Sequence, residues 1–219
     1  MAIDENTIKE AIKKLRDSSK KRNFTQSYDL VVNLKNLDLK KPEQQLDTYI
    51  QIHYSKGKKS KICALVGPEL QPMAEKICDK TIAQHEFQKL SEDKKAVKRL
   101  AGEYSFFIAQ ANIMPQVATA FGKVFGPKKK MPNPKAGCVV PPNANLKPLY
   151  DKLQKTIRLY AKERPMIQIP VGNESMDEKE VIDNILTVYD QLIHHLPQDK
   201  NNIKSIFLKL TMSKPVLIK

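Results

Sequence analysis

Tryptophan is absent from this chain of 219 residues, and aromatic side chains make up only 6% of it. Platforms that stack unpaired bases need exposed rings, so a stacking sheet surface is disfavoured. Cysteine is scarce: Cys63, Cys78 and Cys138 are widely spaced and form no C-x-x-C pair. That argues against a zinc ribbon and more strongly against a disulfide framework. Cys63 lies in the apolar run KICALVG and Cys78 on a helical face, where buried thiols pack as small hydrophobes. No apolar run approaches the ~20 residues of a membrane span. No HExxH, G-x-S-x-G or paired-carboxylate arrangement occurs. His53 and His85 stand alone, while His194 and His195 are neighbours that diverge by about 100° on a helix and share no metal easily. No metal, no cofactor and no catalytic residue is expected, and the chain reads as a non-enzyme.

Acid is also missing, over a long stretch: no Asp or Glu lies between Glu103 and Asp151. Within that stretch Ile113–Lys135, IMPQVATAFGKVFGPKKKMPNPK, gathers Gly122, Gly126, Pro127, Pro132 and Pro134 around Lys123, Lys128, Lys129, Lys130 and Lys135. Glycine and proline at this density end regular structure and set turns. Five lysines on one loop repel each other unless an anion neutralises them, which favours a polyanionic partner over a merely solvated loop. The whole chain carries 38 basic and 24 acidic side chains, a formal +14. Nucleic acid is the usual partner of such a charge, with no membrane involved. The start, MAIDENTIKEAIKKL, reads as an amphipathic helix rather than a leader, so the expected compartment is the cytoplasm.

The apolar periodicity divides the chain. Residues 4–20 predict a helix through Ile8, Ala11, Ile12 and Leu15, with Asp4 or Asn6 as cap. Residues 28–39 are rich in Val and Leu, and 48–54 (TYIQIHY) alternate as a half-buried strand. After the basic break SKGKKS, strands at 61–67, 81–87 and 104–110 alternate with helices at 69–79, 88–101 and 115–121, the pattern of a helix-covered parallel sheet. A connection, VVPPNAN, and a helix at 146–153 follow. Strands are then expected at 157–161, 166–171 and 203–210, around a helix at 175–196 opened by a Ser175–Glu178 capping box. The fold class is therefore α/β: a split α+β domain from about residues 1–54 and 158–219, with a Rossmann-like parallel-sheet domain inserted at 55–157. The two crossings between them are expected to act as a hinge.

The inserted block invites a nucleotide-enzyme reading. A dinucleotide fingerprint needs G-x-G-x-x-G after the first strand. Here the segment is VGPELQP, with one glycine and a glutamate that repels phosphate from the helix start. No G-x-x-x-x-G-K-[ST] occurs either; around Gly122–Lys130, Pro127 removes an amide and no hydroxyl follows the lysines. A thermal-shift screen with nucleotides distinguishes this alternative.

The segments KRNFTQSYD (21–29), GKVFGPKKKMPNP, RPMIQIPVGNE (164–174) and the terminal KLTMSKPVLIK together resemble the L-one family of large-subunit ribosomal proteins, archaeal type. The likeness runs from Ile8 to Lys219, with the motifs in order. It implies a split domain that grips large-subunit ribosomal RNA, forming the mobile stalk beside the exit site for deacylated tRNA, and an inserted domain that binds no nucleotide. It implies a monomer when free, ribosome-associated in the cell, that can also bind its own mRNA and repress translation. Carried over by position, the RNA face includes Phe24, Ser27 and Asp29, then Glu163 and Arg164 in a turn between strands, and the terminal pair Thr211 and Met212. Lys123, Lys128, Lys129, Lys130 and Lys135 are candidates for a secondary RNA or tRNA contact. Ser213, Lys214 and Pro215 replace the family's Gly-Pro continuation. A non-ribosomal homologue acting only on messenger RNA is a further alternative.

Charge points elsewhere. Residues 1–54 and 159–219 carry 18 basic and 16 acidic side chains, against 19 and 8 in residues 55–157, with Arg158 at the boundary. The expectation is that the nearly neutral split domain makes the specific contacts by shape and hydrogen bonding. The basic block then supplies a long-range, salt-sensitive attraction.

Overall fold

The computed structural model describes residues 3–219. In chain order the elements are α1 (Glu5–Ser18), β1 (Ser27–Leu34), β2 (Leu46–Gln51), β3 (Ile62–Val66), α2 (Gln71–Ile77), β4 (Lys80–Ala83), α3 (Phe87–Glu92), α4 (Lys94–Glu103) and β5 (Phe106–Gln110). They continue with α5 (Met114–Phe125), β6 (Val139–Val140), α6 (Leu146–Gln154), β7 (Thr156–Ala161), β8 (Met166–Asn173), α7 (Glu178–His194), β9 (Ile203–Leu210) and β10 (Val216–Leu217). The chain forms two compact units, one of Met1–Lys59 with Lys155–Lys219 and one of Ser60–Gln154.

In the first unit an antiparallel sheet runs in the order β10-β9-β1-β8. Its strands alternate because successive side chains point to opposite faces. Tyr28, Leu30, Val32 and Leu34 of β1, with Ile206, Leu208 and Leu210 of β9, are buried. They join Ile8, Ala11, Ile12 and Leu15 of α1 and the apolar stripe of α7, including Ile185, Val188 and Leu192, in one core. Burying such aliphatic side chains contributes about 1.5–3 kcal/mol each. The opposite face, with Ser27, Asp29, Val31 and Asn33, stays half-exposed.

A separate ribbon pairs β2 with β7. Across it Arg158 grips Asp47 with two bonds, 2.8 and 3.0 Å, and lies over the rings of Tyr49 and Tyr160 at 5.5 and 5.2 Å. Lys162 adds a contact to Asp47 at 2.9 Å. Burial alone raises the Asp47 pKa, but these two cations outweigh it and hold the carboxyl below its usual range.

The unit extends past residue 54 because buried Asn184 accepts from the Tyr54 amide at 3.1 Å and donates to the carbonyls of Ser55 and Val171 at 3.2 and 2.9 Å. Gly57, at φ +88°, runs so close to β8 that a Cβ would stand 2.8 Å from Asn173. Only glycine fits there.

In the second unit the sheet is parallel, in the order β4-β3-β5-β6. Every residue of β3 is buried, as expected where helices cover both faces. Phe87, Phe107, Phe121 and Phe125 build its aromatic core, with Phe121 stacked on Phe125 at 5.3 Å.

Local details depart from the sequence reading. The helix expected at 88–101 breaks at Asp93, whose carboxylate accepts from the amides of Lys95 and Ala96 at 2.9 and 3.1 Å and so starts α4 afresh. The strand expected at 81–87 stops at Ala83, because buried Phe87 opens a helix instead. No Ser175 capping box forms: Ser175 bonds to Asn173, and Asp177 caps α7 through the Lys179 amide. Cys63 and Cys138 are buried, whereas Cys78 is half-buried. Burial pushes these thiols up to about 12, 11 and 11 for Cys63, Cys138 and Cys78, so none is a nucleophile near neutral pH.

Candidate RNA interface

Three distant segments meet at the Ser27 end of the antiparallel sheet. β1 begins there and β9 ends there, because Tyr28 pairs with Leu210 and Ser27 with Asn173 of β8. The Ser27 amide donates to the Thr211 hydroxyl at 3.1 Å. One residue earlier, buried Gln26 ties the three segments together. Its side-chain oxygen Oε1 accepts from the Met212 amide at 3.0 Å. Its side-chain nitrogen donates to Glu174 and to the Ser19 hydroxyl, both at 3.1 Å. Glu174 also accepts from the Gln26 amide at 3.0 Å. The turn after β9 closes on itself, with the Leu210 amide donating to the Ser213 hydroxyl at 2.8 Å. Serine at 213 thus holds the turn through its side chain, as a glycine cannot.

This framework leaves large apolar side chains in solvent. Phe24 is 51% exposed and Met212 60%, so Phe24 is no core anchor. Beside Phe24 an open cleft of about 620 Å³ is lined by Arg16, Lys20, Lys21, Arg22, Asn23 and Glu174, among others. Four cations therefore cluster locally on a unit whose net charge is small. Arg16 is partly committed, donating to the Tyr28 hydroxyl at 3.1 Å and lying 3.5 Å from Glu178.

Asp29 sits two residues along β1 on the half-exposed face, opposite Lys209. Burial raises its pKa, opposed by Lys209 and by a hydrogen bond from Gln168. The same face carries Asn33 bonded to Ser205 at 2.9 Å. It is a strip of hydroxyl, amide and one opposed charge pair, interrupted by half-exposed Val31 and Phe207. Glu163 and Arg164 lie at its far end, where the Pro165 carbonyl accepts from the Leu34 amide at 2.8 Å. Both are exposed, and Glu163 accepts from the Tyr160 hydroxyl at 3.1 Å. The strand between spaces them about 20 Å from Ser27. The structure brings together Ser27, Thr211 and Met212, with Asp29 adjacent and Phe24 two residues before Gln26, and sets Glu163 and Arg164 apart.

Gln26 and Glu174 escaped selection from the sequence, although both stand inside the motifs NFTQS and VGNE. A buried glutamine paired with a half-buried glutamate 148 residues away leaves no periodic signal. The only clue is that a glutamine beginning an alternating strand on its apolar phase must find a partner.

In the second unit the five lysines do not share one loop: the helix runs on to Phe125, so Lys123 lies in the last turn of α5 and only the other four follow it. Lys128 donates to the Lys98 carbonyl at 2.9 Å and Lys130 to the Ser105 carbonyl at 3.1 Å, so these two help to fasten the loop. Lys129 stands at φ +58°, turning the chain. Lys123 and Lys135 are exposed. The crevice where dinucleotide enzymes hold a pyrophosphate is filled: buried Gln110 accepts from the Gly67 amide at 2.9 Å and donates to Glu69 at 3.1 Å. Among the described residues no helix is long and apolar enough to cross a membrane.

A split antiparallel α/β unit with exposed apolar and hydroxyl side chains at one sheet end, together with a parallel-sheet unit, defines a two-part α/β protein. The model of the Ribosomal protein L1p/L10e family matches residues 12–214, and the chain belongs to that family. It is 39% identical over 216 residues to the large ribosomal subunit protein uL1 of Methanothermococcus thermolithotrophicus, covering 99% of each chain. To the uL1 protein of Nanoarchaeum equitans it is 41% identical over 211 residues, 94% of this chain and 97% of that one. To that of Pyrococcus abyssi it is 36% identical over 220 residues, 100% and 98%.

Proposed function

We propose that this protein is a structural component of the large ribosomal subunit that binds ribosomal RNA through the open end and face of its split sheet. Phe24 and Met212 are the exposed apolar contacts, and Ser27 and Thr211 the hydroxyl-bearing ones. A hydroxyl both donates to and accepts from a ribose 2′-OH, which suits a folded RNA better than a duplex read by sequence. Asp29, Glu163 and Arg164 extend the contact along the sheet, and Lys20, Lys21 and Arg22 meet phosphates beside Phe24. Lys123, Lys128, Lys129, Lys130 and Lys135 provide a secondary, salt-sensitive attraction to RNA or tRNA. The single observation that carries this reading is the Gln26 latch, which holds Met212 and Glu174 at 3.0 and 3.1 Å while Phe24 and Met212 stay exposed.

The family resemblance extends the proposal to the mobile stalk by the tRNA exit site, to release of deacylated tRNA, and to repression through the protein's own mRNA. The test is binding of the full chain to a stalk fragment of ribosomal RNA against an unrelated duplex across a salt series. Preference for the stalk fragment that survives high salt supports the proposal; equal, purely salt-driven binding to both contradicts it.

A further inference from the structure

The basic surface of the second unit is larger than its lysine turn. Helix α4 reads KKAVKRLAGE, and no acidic residue lies between Asp93 and Glu103. Val97, Leu100 and Ala101 are buried, which leaves Lys94, Lys95, Lys98 and Arg99 exposed on the solvent side. Electrostatics within the helix disfavour this set. Lys94 and Lys98 are like charges one turn apart, as are Lys95 and Arg99, and such pairs repel. Lys94 and Lys95 also stand in the first turn, where the helix dipole favours acid. Both flanking carboxylates are already engaged. Asp93 accepts from the Lys95 and Ala96 amides at 2.9 and 3.1 Å, and Glu103 pairs with Lys61 at 2.9 Å.

The lysine turn leans on this helix. Lys128 donates to the Lys98 carbonyl at 2.9 Å, and its ammonium lies 4.0 Å from where a Cβ on Gly102 would stand. Lys94, Lys98 and Gly102 share one face, so Lys128 extends their line to about 12 Å along the axis. Lys129 and Lys130 follow, their amides donating to the Gly126 and Phe125 carbonyls at 2.9 Å each. An anion along this ridge would lift the repulsion that the helix otherwise bears. None of the large exposed apolar side chains belongs to α4 or to the turn. The ridge therefore has nothing to insert into lipid and no ring on which a base could stack. It offers charge alone, repeated along a line. A nucleic-acid backbone is the polyanion of matching form, because its dense phosphates release condensed counterions when cations line them. An acidic protein surface carries charge at lower linear density and releases fewer.

We infer that α4, together with the Gly126–Lys130 turn, forms a sequence-independent binding site for an RNA backbone. The choice of RNA rests on the RNA-binding reading above, and the site adds to it the four cations of α4, which that reading leaves out. The experiment follows the full chain binding a labelled RNA duplex unrelated to the stalk, by fluorescence anisotropy across a salt series. Replacing Lys94, Lys95, Lys98 and Arg99 together by Gln is expected to weaken duplex binding at least about tenfold near 50 mM salt. The slope of log affinity against log salt should fall by about three. Tm should equal or exceed the parent's, because like charges are removed from one helix. Lys95→Gln with Arg99→Gln alone should lower the slope by about half as much, which keeps the test open if the fourfold variant melts early. An unchanged slope in both variants would overturn the inference. So would vesicles of phosphatidylglycerol, or polyglutamate, binding the parent as tightly as the duplex. Failure of the parent to prefer stalk RNA counts against the proposed function alone, because the slope on an unrelated duplex needs no such preference.

Discussion

β1 and β3 both occupy interior places in four-stranded sheets, yet their side chains meet different surroundings. Alternate residues of β1 are buried and half-exposed, whereas all five of β3 are buried. The antiparallel sheet keeps one face for solvent or a partner, and the parallel sheet is covered on both. The charge is distributed the other way, with the basic excess concentrated in residues 55–157. On the proposed function, the first unit recognises RNA at short range and the second attracts it at long range. Hydrogen-bonding groups on a sheet face specify contacts at short range, while exposed lysines act at a distance and fade within about 10 Å at 0.1 M salt.

The sharpest way to break this comparison is at the latch. Gln26→Ala removes bonds to Met212, Ser19 and Glu174 and leaves a half-buried carboxylate short of a donor. Stalk-RNA affinity is expected to fall by about 2–3 kcal/mol, with a lower Tm, in calorimetric titration and thermal melting. Thr211→Ala should cost about 1–3 kcal/mol of affinity through the lost hydroxyl; unchanged affinity removes Thr211 from the interface. Phe24→Ala should cost about 1 kcal/mol of affinity with Tm unchanged, since the ring is already half in water. Replacing Lys123 and Lys135 by Gln should barely alter affinity at low salt, but flatten the slope of log affinity against log salt by about one to two units.

Two aspartates of the first unit sharpen the comparison least, through the pH dependence of folding stability. The folded-state pKa of Asp29 is raised, so its contribution to folding is present below the usual carboxylate range and lost as pH rises through it. Asp29→Asn should then gain in Tm relative to the parent on going from about pH 3 to about pH 7. Asp47 is lowered, so its contribution is present above that range and lost as pH falls. Asp47→Asn should lose Tm at about pH 7, with the loss shrinking towards about pH 3.

Long periodic elements were legible in the sequence. The strand from Ile203 to Leu210 and the burial of Ile8, Ala11, Ile12 and Leu15 on α1 follow from apolar spacing alone. Short or competitive features were not. β10 has two residues, Val216 and Leu217, too few for a period. Asp93 splits a helix because its carboxylate competes for amides that the pattern assigns to a continuous helix. Residues of the candidate interface were nameable only through the motifs that carry the family resemblance: Thr211 and Met212 look like ordinary strand-end residues until the Ser27 and Gln26 bonds are seen. Gln26 itself was hidden because its partners lie far apart in sequence.

The most direct test replaces residues 60–154 with a short linker and compares stalk-RNA binding of the resulting split unit, shown folded by circular dichroism, with that of the intact chain across a salt series. The predicted result is an affinity within about tenfold of the parent at high salt and a shallower salt slope. Loss of stalk-RNA preference by the folded split unit, with Ser60–Gln154 alone binding the stalk as tightly as the whole protein, would contradict the assignment of recognition to the antiparallel sheet.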